Sequence, residues 1–225
     1  MGGFQNKQYL RPRNNDELTQ KVHALSYRVR KEDCLDLPDK LFEDRPVALE
    51  PKAADLYRQL KREAVAELSS GEVTAQHVLT RMLRLQQVVG GFVHQDDGKL
   101  VQVSRAKLDA ACDIMEALCQ DEGRKLVILA RFRAEVDALE EAARKMGIEL
   151  VRVDGSVSAA NRGALVERFQ TDDACRLFIG IIDACAEGLT LTASQTMLYY
   201  SLTYNYAKYD QSLARIHRIG QQGAC

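Results

Sequence analysis

The sequence predicts an α/β protein, a doubly wound parallel sheet with an N-terminal helical appendage and a hairpin. Two observations lead to this prediction. After residue 104, short continuous apolar runs alternate with segments whose apolar residues recur at helical spacing, which is typical of buried parallel strands joined by helices. Before that residue the apolar spacing is mainly helical. We therefore predict a helical segment over residues 1–104 and an α/β lobe over residues 105–225.

Three stretches of the first segment place apolar residues on one helical face and predict three helices. Asn14–Asp16 offers N-caps for the first helix, and Pro51 and Gly71 are suited to begin and end the second. Arg45–Leu49 is predicted as a short extended piece between them. The predicted core faces are Leu18, Val22, Leu25 and Val29, then Leu56, Leu60, Ala64 and Leu68, then Val78, Met82, Leu85 and Val89.

A hairpin is predicted near residues 91–103. Gly90 and Gly91 end the third helix, and apolar residues stand on both sides of the turn Asp96–Gly98. Two short apolar runs that flank such a turn are typical of paired antiparallel strands.

The second half predicts four strands that alternate with four helices. Ligands gather outside the carboxyl ends of parallel strands, so the loops after Leu129, Val153 and Ile182 are the expected site. The predicted strands are Leu126–Leu129, Ile148–Val153, Leu177–Ile182 and Met197–Tyr200. The predicted helices are about Ala106–Cys119, one with Val136, Leu139 and Met146 that ends at Gly147, one with Leu165, Val166 and Phe169, and about Ala207–Arg218.

The net charge and the cysteine spacing limit how the chain can bind nucleic acid and metal ions. The formal net charge is −1, so nucleic acid must bind to a local basic patch rather than to a wholly basic domain. The six cysteines form no Cys-x-x-Cys pair and no metal site is expected. We expect buried free thiols in a reducing cytosol, with Cys112 and Cys119 on one apolar helix stripe. Without a signal peptide or an apolar run of 18 residues, the protein is expected to be cytoplasmic and not membrane-bound.

The most specific string runs from Gln211 to Gln221 and reads QSLARIHRIGQ. On one continuous helix, Gln211, Arg215 and Arg218 lie within roughly 60° of each other, and the apolar residues between them face the core. The ordinary alternative for such a stripe is a solvated face that makes surface ion pairs.

The string closely resembles helicase motif VI in its SWI/SNF form, Gln-Ala-x-x-Arg-x-His-Arg-Ile-Gly-Gln, and other segments resemble further motifs in the family order. Tyr27–Lys31 with Leu37–Lys40 is similar to the stretch that leads from the first lobe into the second. The resemblance implies the second RecA-like lobe of a SWI/SNF-family DNA helicase or translocase of superfamily two, with wording typical of bacterial or phage-borne members. The other matching segments are Val127–Phe132 (motif IV), Val153–Ser156 with Arg162 and Phe169, Ala184–Ala193 (motif V) and Tyr204–Tyr206.

The resemblance implies roles at the nucleotide. Arg215 and Arg218 are expected to act as arginine fingers, because fixed guanidinium groups stabilise the negative charge of a γ-phosphoryl transition state. Gln211 is expected to help position them. In motif V, Gly188 and Glu187 are expected beside the nucleotide, where Gly188 lets the backbone approach it.

Contacts with the backbone of double-stranded DNA are expected from Arg131, Ser156, Thr190 and Thr192, through phosphate contacts that carry no sequence information. Each residue also has an ordinary alternative: surface charge for Arg131, a helix N-cap for Ser156 and loop hydroxyls for the two threonines. Asp154 is expected to be structural and to accept backbone hydrogen bonds in its own turn.

Motif V departs from the family at its start, where Ile181, Ile182 and Asp183 replace the common Ser-Thr-Arg. The change removes hydroxyl and guanidinium groups expected at a phosphate, and Asp183 repels a phosphate. Either the DNA takes a different path here, or Asp183 has another role.

The implied function is the second motor lobe of an ATP-dependent double-stranded DNA translocase. The sequence contains neither a Walker A motif nor the acidic Mg²⁺ motif, so ATP and Mg²⁺ are expected mainly on the first RecA-like lobe of the same polypeptide. The chain alone is expected to be an inactive fragment, truncated after motif VI, from the nucleoid-associated cytoplasm of a bacterial or phage-infected cell. The alternative is a non-catalytic DNA- or protein-binding α/β module, which a true start codon at Met1 favours.

Overall fold

The structure, a computed structural model, describes residues 14–27, 34–70, 75–95, 98–186 and 188–225. The chain divides into two compact units, residues 1–36 and residues 37–225.

In the first unit, helix α1 (Asn15–Leu25) buries none of its residues and leaves 92% of Leu25 exposed, so the core face predicted for it is wrong. Burial of a helix face needs a second layer, and none is described in this unit. The predicted core residue Val29 lies outside the described residues.

Two packed helices begin the second unit. Helices α2 (Pro51–Ser70) and α3 (Ala75–Gly90) form where two helices were predicted, and α2 begins at Pro51 as expected. Of the predicted core residues, Met82 is exposed, so its prediction is wrong, and the side chain of Leu68 lies outside the described part of the chain. The predicted extended piece Arg45–Leu49 forms no strand, and Gly71 lies outside the described residues. A small core forms between these helices and the segment after them; it contains Ala53, Val88 and Val103, against which Leu49, Leu56, Tyr57, Leu60, Val93 and Val101 pack.

The predicted hairpin is confirmed. Strands β1 (Phe92–His94) and β2 (Leu100–Gln102) pair antiparallel. Gly91 ends α3 with a φ of 92°, and a Cβ on it would lie 2.5 Å from the Ser104 carbonyl oxygen, so only glycine fits between the helix and the hairpin.

The lobe contains a parallel sheet with helices on both faces. Its strands are β3 (Leu126–Ala130), β4 (Leu150–Val153), β5 (Leu177–Ile181) and β6 (Thr196–Tyr199). They lie side by side in the order β4-β5-β3-β6, and every pairing is parallel. Leu126, Ile128 and Ala130 enter the core on one face of β3, whereas Val127 and Leu129 enter the core on the other. Both faces are therefore covered, which confirms the doubly wound prediction.

Helices cover the two faces in the expected way. They are α4 (Ala106–Met115), which continues as a π-helix over Glu116–Asp121, α5 (Arg133–Lys145), α6 (Ala159–Thr171), the single turn α7 (Ile182–Cys185) and α8 (Tyr206–Leu213). Helices α4 and α5 supply Met115 and Leu139 to one core, and α6 supplies Phe169, which packs edge-on against Phe178, to the other. Among the described helices, none is both long and apolar enough to cross a bilayer.

Hydrogen bonds join residues 37–104 to the lobe. The Gln86 amide donates to the Leu202 carbonyl at 3.2 Å and accepts a hydrogen bond from Arg131. The Tyr200 hydroxyl donates to the carbonyl of Gly90 at 3.4 Å. These contacts attach the end of α3 to the ends of β3 and β6. The domain boundary near residue 104 stays a prediction.

The cysteines are free thiols of differing exposure. Cys119, Cys175 and Cys185 are buried, and Cys112 is partly buried in the same core as Cys119, as expected. Burial raises the pKa of Cys119 to about 11 and that of Cys185 to about 12, so both stay protonated. Cys34 is exposed, so the prediction that the thiols are buried is wrong for this residue, which lies in the first unit.

Candidate nucleotide and DNA interface

The carboxyl ends of the four parallel strands meet at one edge of the sheet. Arg131 directly follows β3, Asp154 follows β4, α7 follows β5, and Tyr200 follows β6. The Asp-Gly-Ser segment and motifs IV and V therefore all begin at the edge where such sheets bind ligands.

The last helix is shorter than predicted. It ends at Leu213 instead of continuing to Arg218, and the segment 214–220, which we call the finger turn, consists of tight turns. The Ser212 hydroxyl donates to a carbonyl of its own helix at 2.7 Å, and such side-chain bonds compete with helical ones. The amide of Arg215 then donates to the Ser212 carbonyl at 3.0 Å. This bond joins residues three apart, as in a 3₁₀ turn, rather than four apart as in an α-helix. The prediction of one continuous helical stripe is therefore wrong.

The two motif VI arginines nevertheless meet. The Nη1 atoms of Arg215 and Arg218 donate to the same carbonyl, that of Leu189, at 3.2 and 3.3 Å. Arg218 Nη1 also donates to the Thr190 hydroxyl at 3.0 Å. Gln211 contributes its main-chain carbonyl, which accepts Arg215 Nε at 2.9 Å, while the residue itself is exposed. The folded chain thus gathers both guanidinium groups on motif V.

A buried amide that the sequence analysis did not single out fixes the motif V loop (residues 188–194) to the finger turn. Gln221 is 8% exposed, and its Nε2 donates to the carbonyls of Ser194 at 2.9 Å and Ile216 at 3.2 Å. Its Oε1 accepts the amide of Gln222 at 3.0 Å. Its place at the end of the motif VI string was the only signal in the sequence.

Of the two residues predicted beside the nucleotide, Gly188 is described and Glu187 lies outside the described residues. Gly188 is exposed and has a φ of 73°. A Cβ there meets nothing within 4 Å, so the backbone torsion and not crowding favours glycine. Asp183, the departure from the family pattern, lies exposed in the single turn α7.

Thr190 and Thr192 are both in the motif V loop, but their hydroxyls have different partners. The Thr190 hydroxyl accepts a hydrogen bond from Arg218, whereas that of Thr192 accepts one from Gln170 Nε2 at 3.1 Å. Oε1 of Gln170 accepts the amide of Ala193 at 2.9 Å. Thr190 is therefore in contact with a predicted finger, and Thr192 is anchored to α6.

Arg131 is held away from the finger turn, at the junction with α3. Its Nη1 donates to Gln86, and its guanidinium lies 5.0 Å from the ring centre of Tyr204 and 5.5 Å from that of Phe132. Arg131 is half-buried and contacts two aromatic rings, so it is more than a solvated surface charge. Its guanidinium group is also already engaged by Gln86, so it is not a free ligand for a phosphate.

Ser156 is held by the turn in which it lies. Its hydroxyl donates to Asp154 Oδ1 at 2.5 Å and its amide donates to the same oxygen at 2.8 Å, so Asp154 has the predicted structural role. The N-cap of α6 is Ser158, whose hydroxyl accepts the amide of Asn161 at 3.3 Å, so the alternative of an N-cap at Ser156 is wrong. These hydrogen bonds, together with one from Arg152, lower the pKa of Asp154 to about 2.

Glu135, another residue that the sequence analysis missed, orders the motif IV turn. It is 1% exposed, and its Oε2 accepts the amides of Phe132 at 3.1 Å and Arg131 at 3.3 Å and the hydroxyl of Ser201. Burial raises its pKa, against the opposing effect of these hydrogen bonds. The local sequence gave no signal for it, since a glutamate in the first turn of a helix is ordinarily solvated.

Comparison with known proteins finds relatives among ATP-dependent and DNA annealing helicases. An ATP-dependent helicase of Mycoplasma pneumoniae that is described as uncharacterized is 24% identical over 196 residues, which is 87% of this chain and 19% of that protein. The DNA annealing helicase and endonuclease ZRANB3 of Mus musculus is 28% identical over 213 residues, 92% of this chain and 18% of that protein. The chain thus spans about a fifth of the length of these curated relatives.

A solved structure has the same fold. The Sulfolobus solfataricus SWI2/SNF2 ATPase core in complex with double-stranded DNA matches with a TM-score of 0.66 and 23% identity, over 92% of this chain and 44% of that one. The family described as Helicase conserved C-terminal domain matches residues 106–220, just over half of the sequence. That range begins at α4 and includes both motif V and the finger turn. The chain therefore belongs to the family of helicase conserved C-terminal domains.

Proposed function

We propose that the chain is the second motor lobe of a SWI/SNF-type, ATP-dependent translocase on double-stranded DNA. The convergence of Arg215 and Arg218 on the Leu189 carbonyl carries this proposal. Among the described residues, Arg218 donates to a neutral carbonyl and to the neutral hydroxyl of Thr190, and neither of these compensates its positive charge. Two guanidinium groups fixed side by side match the charge that spreads over the oxygens of a transferring γ-phosphoryl group.

The donors of this site fit the phosphates of ATP better than Mg²⁺. Guanidinium groups bind phosphate oxygens and repel a divalent cation, and Gly188 permits close approach of the backbone. We therefore assign Arg215 and Arg218 as fingers, with Gln211 as their support and Gly188 and Glu187 beside the nucleotide. Mg²⁺ and most ATP contacts belong to a first RecA-like lobe, and the chain alone neither binds ATP tightly nor hydrolyses it.

DNA binding is proposed through groups from three loops. Arg131 and Ser156 follow β3 and β4 at the carboxyl ends of these strands, whereas Thr190 and Thr192 lie in the motif V loop, where Gln170 of α6 holds Thr192. Guanidinium groups and hydroxyls bind phosphates without reading sequence. The Sulfolobus relative that has this fold was solved with double-stranded DNA. Residues 37–104 are proposed as a brace, because α3 holds Arg131 through Gln86.

The test is DNA-stimulated ATP hydrolysis by the polypeptide in which an ATP-binding lobe precedes this chain. Arg215→Ala and Arg218→Ala should each lower turnover by about 10³-fold or more, as loss of an arginine finger does. Arg144→Ala, which removes an exposed arginine of α5, is the matched control and should leave turnover unchanged. If both finger variants keep full turnover, the motor assignment is wrong; if the lobe still binds DNA, it acts as a non-catalytic DNA-binding module.

A further inference from the structure

One histidine of motif VI contacts a distant segment of the chain. His217 Nε2 lies 2.8 Å from the carbonyl oxygen of Pro38. A proline carbonyl can only accept a hydrogen bond, so Nε2 carries the proton and donates it. The segment 38–41, which we call the strap, therefore makes contact with the finger turn through the side chain that lies between Arg215 and Arg218.

Two backbone hydrogen bonds join the strap to Cys225, five residues after the finger turn. The amide of Cys225 donates to the Asp39 carbonyl at 3.1 Å, and the amide of Leu41 donates to the Cys225 carbonyl at 2.7 Å. Cys225 itself packs against the core that contains Ile216. The strap is thus fixed to the lobe at Cys225 and at His217, and His217 lies between the two fingers in the sequence.

The finger turn follows the last residue of helix α8 and has irregular backbone hydrogen bonds of its own. The amide of His217 donates to the Leu213 carbonyl at 3.3 Å, and the amide of Arg218 donates to the Ile216 carbonyl at 3.2 Å. The side chain of His217 adds a contact between this turn and a segment far from it in the sequence. A fixed outer contact reduces the number of orientations available to the neighbouring arginines.

We propose that His217 is a positioning residue that couples the strap to the arginine fingers. The inference rests on the proposed function, under which a first lobe precedes the strap. A movement of that lobe passes along the strap to Pro38, through the His217 hydrogen bond, and to the turn that holds Arg215 and Arg218. His217 touches neither nucleotide nor DNA in this role.

The first experiment uses the 225-residue chain alone and does not depend on the motor function. Hydrogen–deuterium exchange of the amides of Leu41 and Cys225 should be roughly fivefold faster in His217→Ala, the change expected for the loss of one hydrogen bond. His217→Gln, which keeps an N–H donor at a similar reach, should restore slow exchange. His94→Ala, in the hairpin, is the control and should leave these amides unchanged. Unchanged exchange in His217→Ala overturns the contact.

The second experiment uses the polypeptide that includes an ATP-binding lobe. His217→Ala should lower the DNA-stimulated kcat by roughly threefold to tenfold with the KM for ATP unchanged, and His217→Gln should restore kcat. Faster exchange together with an unchanged kcat overturns the coupling while the motor function stands. Failure of the motor function is seen separately, as full turnover in Arg215→Ala and Arg218→Ala.

Discussion

At the scale of single residues, the Thr190 hydroxyl joins the two proposed activities of the site. It accepts a hydrogen bond from Arg218 Nη1 at 3.0 Å, and it is also a proposed ligand of a DNA phosphate. A hydroxyl can accept from arginine while donating to a phosphate oxygen, so DNA at Thr190 can polarise and orient the same group that holds the finger. Under the proposed function, this contact is the physical route by which DNA binding would stimulate hydrolysis.

Thr190→Val tests that route, because valine keeps the shape and removes the hydroxyl. In the polypeptide with both lobes, the ratio of DNA-stimulated to basal ATP turnover should fall roughly threefold to tenfold, the effect of one hydrogen bond. Thr171→Val, at an exposed hydroxyl in the last turn of α6, is the control and should leave the ratio unchanged. An unaltered ratio in Thr190→Val removes Thr190 from the coupling.

Asp154 gives a second prediction at this scale, and it depends on pH. Its pKa in the folded protein is about 2, below the ordinary value of 3.8, so its hydrogen bonds to Ser156 and Arg152 stabilise the fold above pH 4. That contribution should decline as the pH falls from about 4 through 2. Asp154→Asn should lower the free energy of unfolding by roughly 1–3 kcal/mol at pH 7, measured with urea. A difference from the parent protein of the same size at pH 2 contradicts this explanation.

At the scale of elements, the strands could be predicted and the end of the last helix could not. β3 is a continuous apolar run and is fully buried, so its pattern alone predicted it. The apolar spacing of α8 continues past Leu213, because Ile216 still reaches the core. The helix ends at Leu213, next to Ser212, which also forms a hydrogen bond with Tyr199, a partner on β6 that local spacing does not reveal.

The same limit applies to the site. The helicase motifs predicted four site residues, Arg215, Arg218, Thr190 and Thr192. In the fold, hydrogen bonds connect the first three of them through the Leu189 carbonyl and the Thr190 hydroxyl. Glu135 was missed because its burial depends on Ser201, which is distant in sequence. Residue type and spacing predict which side chains have the right chemistry, but contacts between distant segments decide which of them meet.

Gln221 gives the prediction that belongs to this scale, since it joins the motif V loop to the finger turn. Gln221→Leu removes the buried donor to the carbonyls of Ser194 and Ile216, although Ile216 still accepts the amide of Arg218. The free energy of unfolding should fall by about 1–3 kcal/mol in urea denaturation. Gln222→Ala, at the exposed neighbour, should change it by less than about 0.5 kcal/mol. Equal effects of the two changes contradict the bridging role of Gln221.

At the scale of the whole molecule, the chain is a helicase C-terminal domain that spans about a fifth of its curated relatives. Its proposed fingers are guanidinium groups, which bind phosphate, so the proposal requires a nucleotide held by another lobe. The brace attaches through Gln86 to Arg131, and the strap attaches through Pro38 to His217. Each proposed activity of the lobe is thus connected to a segment that precedes it in the chain.

The most direct measurement of the central claim is single-turnover ATP hydrolysis by the two-lobe polypeptide at saturating ATP and double-stranded DNA. Arg218→Ala and Arg215→Ala should each slow the hydrolysis step by about 10³-fold or more, with the affinities for ATP and DNA changed only a few-fold. Arg218→Lys should recover only a small part of the rate, because an ammonium group cannot pair bidentately with phosphate. Hydrolysis at the unmodified rate in both alanine variants contradicts the assignment of this lobe as the one that supplies the arginine fingers.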